Sequence, residues 1–197
     1  MNAQSPIRLQ TGDALIIVDI QNDFLPGGSL AVPQGDAVVP VMNRYISLFK
    51  GKNLPIFATR DWHPANHSSF KAEGGLWPPH CVQKTKGAEF SPDLQLPTDI
   101  VTISKDVTQE ENTYSGFQCT DLHQQLQALR VKRLSIGGLA TDYCVLNTVK
   151  DALSLGYEVY LLEDAIRAVN VQPDDGKKAR EEMLSLGAKP IHVGSVT

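Results

Sequence analysis

The chain is poor in cysteine and has none that pair. Its three, Cys81, Cys119 and Cys144, form neither an even set nor a close couple, which excludes a disulfide framework and a four-thiolate zinc site and fits free thiols in a reducing compartment. Long hydrophobic runs are also missing. The longest, Ala14 to Val18, is far too short to span a bilayer, and the opening Met1-Asn2-Ala3-Gln4-Ser5-Pro6 has neither the basic start nor the apolar core of a leader. A soluble, cytoplasmic protein with no membrane partner is therefore expected. Charge of one sign is nowhere concentrated: the net charge is -4 without any run of like charges, so no basic face tracks phosphates and nucleic acid is not an expected partner. Gly137-Gly138 lacks both the dinucleotide and the P-loop spacing, so no nucleotide cofactor is indicated. No His-x-Glu or Cys-x-x-Cys pair occurs, which argues against a zinc nucleobase deaminase. Internal repeats and low-complexity tracts are absent as well.

What is present is an ordinary globular composition, 42% hydrophobic and 20% charged over 197 residues, which predicts one compact domain spanning 1–197. Short apolar, β-branched runs at 14–20, 54–59, 100–104, 133–137, 157–162 and 190–193 read as buried strands. Helical spacing separates them: Val38, Val39, Met42, Ile46 and Phe49; Leu122, Leu126 and Leu129; Cys144, Val145, Thr148, Val149, Ala152 and Leu153; and Ala179, Met183, Leu184 and Leu186. Asp36 and Asp121 are placed to cap helix starts, and Gly51, Gly156 and Gly187 stand where helix ends need a left-handed residue. Strands alternating with helices predict an α/β fold: a doubly wound parallel sheet of about six strands with helices on both faces, in three layers.

Ligands of such sheets bind at the carboxyl ends of the strands. Asp19 closes the first run, Asp61 follows the second, Lys105 follows the third and Cys144 lies beyond the fourth, so residues distant in sequence converge on one edge. Between Arg60 and Thr98 periodicity disappears and prolines and glycines collect, a length of irregular chain uncommon in a compact domain unless it serves function. This stretch is expected to be a metal and substrate loop.

Asp61-Trp62-His63 with His80 suits a divalent metal, because one carboxylate and two neutral imidazoles leave coordination positions open for water and substrate. Zinc, iron(II) and manganese all satisfy that donor set, and the bland alternative for the pair is a turn or cap. His67 reads either as a further ligand or as an exposed loop residue, while His123 and His192 read as solvent and core residues. Cys81 and Cys119 read as inert packing. Cys144 differs, because capping of the next helix by Thr141 or Asp142 would put its thiol in a first turn, where free N–H groups favour a thiolate and hold an oxyanion. It equally fits the apolar stripe of that helix. Asp19 and Lys105 read either as a structural ion pair or as groups that accept the thiol proton and favour its anion. Phe24, Trp77 and Tyr114 form an aromatic slot or pack in the core.

Val18-Asp19-Ile20-Gln21-Asn22-Asp23-Phe24, Thr59-Arg60-Asp61-Trp62-His63-Pro64, Trp77-Pro78-Pro79-His80-Cys81-Val82, Tyr114-Ser115-Gly116-Phe117 and Gly138-Leu139-Ala140-Thr141-Asp142-Tyr143-Cys144-Val145 occur in that order. With them the chain resembles the isochorismatase-like cysteine hydrolases, and among these the nicotinamidase/pyrazinamidase family, from Ala14 to Val193. The resemblance implies an Asp19, Lys105 and Cys144 triad, a metal on Asp61, His63 and His80 with His67 as a variable addition, and a cis peptide at Leu139-Ala140. It implies an oxyanion hole from the N–H groups of Ala140 and Cys144, and Phe24, Trp77 and Tyr114, with Leu139, around a pyridine ring. It also implies that the substrate is nicotinamide, hydrolysed to nicotinate and ammonia. Two readings compete: another amidase of the same fold, in which the metal ligands are generally absent, and a metal hydrolase in which Cys144 only packs. A noncatalytic metal-binding protein is a third. The native metal and the choice between monomer and homo-oligomer stay open.

Overall fold

The computed structural model describes residues 6–197. The leader reading rested on the opening residues, and of these 1–5 lie outside the described part. The six apolar runs form one sheet of β1 (Asp13–Val18), β2 (Ile56–Asp61), β3 (Val101–Lys105), β4 (Arg133–Leu139), β5 (Glu158–Arg167) and β6 (Lys189–Ile191), in the order β3-β2-β1-β4-β5-β6. Every neighbouring pair is parallel. Side chains of β1 alternate between two cores, Leu15 and Ile17 on one side and Ala14, Ile16 and Val18 on the other. A strand buried on both faces has no polar alternation, which is why it reads as a continuous apolar run.

The helices are α1 (Val38–Gly51), α2 (Leu122–Ala128), α3 (Leu146–Ser154) and α4 (Asp175–Ser185). Helices cover both faces, as expected, but unevenly. Val38, Met42, Ile46 and Phe49 of α1 enter one core, while Leu122 and Leu126 of α2, Val149 and Ala152 of α3 and Met183 of α4 enter the other. The imbalance arises because the connection from β2 to β3 carries only short 3-10 turns. Its Cys81, Ala88 and Leu94 fill the α1 side, where a crossover helix would have lain.

Some boundary expectations fail. Asp36 lies inside a 3-10 turn (Gly35–Ala37), and the position before α1 is Ala37, without a side-chain cap. Asp121 does precede α2, yet its carboxylate accepts from Gln125 Nε2 at 2.9 Å and caps no backbone N–H. Gly156 and Gly187 are left-handed at φ 87° and 110°, whereas Gly51 is the last residue of α1 and the left-handed turn falls on Asn53 at φ 53°. Asparagine tolerates that conformation better than most residues.

The strand order reverses direction between β1 and β4, which opens a crevice at their carboxyl ends. Gly138 is what lets the two strands meet there: at φ 128°, a Cβ on it would stand 2.0 Å from the Val18 carbonyl oxygen. Among the described residues no helix is long and apolar enough to cross a membrane.

Candidate active site

Each strand around the crevice delivers one chemical side chain. Asp19 follows β1 in a left-handed conformation (φ 47°), Asp61 ends β2, Lys105 ends β3, and Cys144 sits in a π-helical turn (Thr141–Val145) after β4. Asp61 and Lys105 are register partners across β2 and β3. Lys105 is 1% exposed, a charge that would cost several kcal/mol to bury unpaired. It is held among acids: Nζ bonds Asp61 Oδ1, lies 2.8 Å from Asp19 Oδ2, and reaches Cys144 Sγ at 3.6 Å. Thr59 Oγ1 donates to Asp19 Oδ1 at 2.6 Å. Asp19 Oδ2 is fully buried, with the Lys105 ammonium 2.8 Å away. The Asp19 carboxylate also stands beside the sulfur, since Asp19, Asp61 and Cys144 bring donor atoms within 4.8 Å of one another.

The electrostatics revise one expectation. Burial pushes the Cys144 thiol well up, more than the Lys105 ammonium pulls it down, and Asp19 and Asp61 push the same way. Among these influences only Lys105 favours the thiolate. Thr141 and Asp142 do not cap a helix over it, since both lie inside the turn and Ala140 precedes it. The Asp142 carboxylate instead accepts from the Val169 and Asn170 N–H groups at 2.9 and 2.8 Å. Burial also raises the Asp19 carboxyl despite Lys105. For Asp61 burial works upward too, but Lys105, His63 and His80 together hold it down to about 2. Lys105 itself, though burial lowers it, is raised well above its ordinary value by Asp19 and Asp61 and stays an ammonium.

Asp61, His63 and His80 offer ligand atoms within 4.8 Å of one another. His63 Nδ1 faces the His80 carbonyl at 3.0 Å, and His80 Nδ1 faces the Pro78 carbonyl at 2.8 Å. A carbonyl only accepts, so in the neutral rings Nδ1 carries the hydrogen and Nε2 keeps a lone pair, that of His80 4.0 Å from Asp61 Oδ2 and that of His63 3.6 Å from Asp106 Oδ2. The main chain of Asp61 is clamped by buried Gln21, whose Oε1 accepts from the Asp61 N–H and whose Nε2 donates to the Asp61 carbonyl, both at 2.8 Å. A fixed carboxylate with two imidazoles in the ligand tautomer fits a divalent cation. His67 stands apart. Its Nδ1 meets Ser69 Oγ at 2.7 Å and its Nε2 bonds the Glu111 carbonyl, so both ring nitrogens are spent on protein partners. Its geometric neighbours are His63 and Asp106, not the Asp61 and His80 set.

Above these groups lies a cleft of about 460 Å³, open mouth included, lined by Phe24, Trp77, Tyr114, Tyr143, Asp106 and Asn112 among others, with Cys144 and Ala140 also on its wall. Trp77 Nε1 donates to the Tyr114 hydroxyl at 3.2 Å, and the Tyr143 ring meets Trp77 edge-on at 5.0 Å. Leu139 does not line the cleft: its side chain is fully buried in the α1-side core, so its place at the site is through its backbone alone. The Leu139-Ala140 peptide is cis, as the resemblance implied. Among the described residues no carbonyl accepts from the Ala140 N–H. Gln21, Asp106 and Tyr143 carry site geometry that the residue-by-residue reading passed over. Gln21 and Tyr143 lay within quoted motifs, but an acid after a strand-end lysine reads as a surface ion pair.

Residues 13–193 match the Isochorismatase domain family. The nicotinamidase of Escherichia coli K12 is 41% identical, covering 89% of this chain and 92% of the relative. A pyrazinamidase of Pyrococcus horikoshii solved in complex with zinc is 52% identical with a TM-score of 0.88, covering 92% of this chain and 99% of that one. The PnC1 protein of L. infantum solved in complex with nicotinate is 37% identical, also at a TM-score of 0.88, covering 95% and 96%.

Proposed function

The chain belongs to the isochorismatase family, and from that premise we propose that it is a metal-dependent cysteine amidohydrolase converting nicotinamide to nicotinate and ammonia, with pyrazinamide as a second substrate. One observation carries the reading: the Cys144 thiol, on the wall of a cleft it shares with Asp61, His63 and His80, stands 3.6 Å from the Lys105 ammonium and beside the buried Asp19 carboxylate. We assign the whole chain to one domain, with catalytic Asp19, Lys105 and Cys144 and metal donors Asp61, His63 and His80.

Asp61, His63 and His80 would hold a divalent cation, zinc first and iron(II) or manganese next, which supplies a Lewis-acid anchor for the ring nitrogen and eases deprotonation of water. Phe24, Trp77 and Tyr114 flank the ring, and Tyr143 closes that wall. Asp19 Oδ2 takes the Cys144 proton as sulfur attacks the amide carbon, and Lys105 stabilises the negative charge that results. The N–H groups of Ala140 and Cys144 hold the tetrahedral oxyanion. Asp19 then returns the proton to the leaving nitrogen, releasing ammonia and a thioester. A water, deprotonated by Asp19, cleaves the thioester to nicotinate and restores the thiol.

Purified protein supplied with zinc should release ammonia from nicotinamide, and quenched turnover should show a covalent adduct on the Cys144 peptide. No ammonia with zinc, iron(II) or manganese would refute the substrate assignment.

A further inference from the structure

The mechanism above leaves the carboxylate of Asp106 without a task. Asp106 follows Lys105 in a left-handed conformation (φ 54°), a region sparse for residues other than glycine, and its buried side chain faces the cleft. Its orientation is fixed: Oδ1 accepts from the Thr113 N–H at 2.8 Å and from Thr113 Oγ1 at 2.9 Å. The other oxygen, Oδ2, stands 3.6 Å from His63 Nε2. Because the Nδ1 hydrogen of His63 is used by the His80 carbonyl, that Nε2 presents a lone pair in the neutral ring. A carboxylate oxygen and an imidazole lone pair held face to face repel unless a cation or a hydrogen-bond donor lies between or beside them. Asp106 is not grouped with Asp61 and His80; the donor atoms it approaches within 4.8 Å are those of His63 and His67. One water molecule spans such a separation.

We propose that Asp106 is a positioning residue for the cation site, its fixed Oδ2 accepting a hydrogen bond from a water in the coordination shell of the ion held by Asp61, His63 and His80. The inference rests on the cation reading given above and adds to it. Oδ2 contributes negative charge near the ion and sets where one of its waters stands. The bond from Thr113 supplies the stiffness, since a carboxylate free to rotate would not favour one water position.

The test compares zinc affinity, measured by competition with a chromophoric chelator, in full-length wild type, Asp106→Asn and Thr113→Val, with thermal unfolding of the metal-free proteins alongside. Asp106→Asn keeps an oxygen for Thr113 but turns an NH2 group toward His63 Nε2, where its hydrogen competes with the ion. Zinc affinity should fall about 10- to 100-fold, the range for losing an outer-shell partner. The metal-free melting temperature should stay within about 2 °C of wild type, as expected of a substitution that keeps its local hydrogen bonds. Thr113→Val removes the hydroxyl bond but keeps the Thr113 N–H on Oδ1, so Oδ2 stays oriented and zinc affinity should change by less than about threefold. Unchanged affinity in Asp106→Asn, or an equal loss in Thr113→Val, overturns the role of Asp106 while leaving the cation reading intact. A wild type that takes up no zinc, iron(II) or manganese overturns the cation reading, and this inference with it.

Discussion

At the scale of single residues, burial opposes the thiolate of Cys144 more than the Lys105 ammonium favours it, and Asp19 and Asp61 add to that opposition. Cys144→Ser should lower kcat for nicotinamide by more than about a thousandfold, the loss typical of a removed nucleophile, while the stoichiometry of bound zinc stays the same. Undiminished ammonia release would show that Cys144 only packs. The sign of the proton effect is separately testable. Because the thiol is shifted up, alkylation of the Cys144 peptide by iodoacetamide in metal-free protein should be slower at pH 7 than that of free cysteine, and its rate should still be climbing above the ordinary thiol range. A plateau below that range would mean a standing thiolate. Asp19, Asp61 and Lys105 were legible in the sequence because a charged residue ending an apolar strand is costly to bury unpaired, whereas Cys144 also fitted an apolar stripe and stood out only with the motif around it. Gln21 and Asp106 were not legible. Their parts depend on which backbone group or lone pair they face, and no spacing rule carries that.

At the scale of elements, the runs that became β1 to β6 were legible because a strand buried on both faces must be apolar throughout. The caps were less so, since the residue that meets a free N–H is decided by the loop leading in, as Asp36 and Asp142 illustrate. The π turn carrying Cys144 has no sequence signature distinct from an α-helix start. β1 and β4 approach closely at Gly138, and Gly138→Ala tests that approach. A Cβ 2.0 Å from the Val18 oxygen forces the strands apart. Together, overpacking and the unfavourable φ should cost about 3 kcal/mol or more. A melting point unchanged from wild type would mean that the sheet accommodates the methyl group.

At the scale of the whole molecule, the proposed ligands come from β2 and from the irregular chain after it, a set that only the folded protein assembles. A cation that binds the native state alone should raise stability by about 2.7 kcal/mol at a free concentration 100 times its dissociation constant. At this chain size that corresponds to roughly 5–10 °C in melting temperature. Differential scanning with zinc, and then with chelator, measures it. The gain should vanish in His63→Ala, and a gain that persists there would place the ion elsewhere.

The missing crossover helix between β2 and β3 gives the molecule a port for engineering. That connection is pinned by bridges between His63 and Val82 and between Phe70 and Trp77, and the run from Lys71 to Leu76 hangs beyond the second pin with Leu76 76% exposed. Doubling the length of such a tip adds only about 0.6 kcal/mol of closure entropy. A fluorescent or circularly permuted module spliced at Gly74-Gly75 would sit two residues of chain from Trp77, and so would feel a heterocycle docking on that indole while the sheet beneath stays as it is.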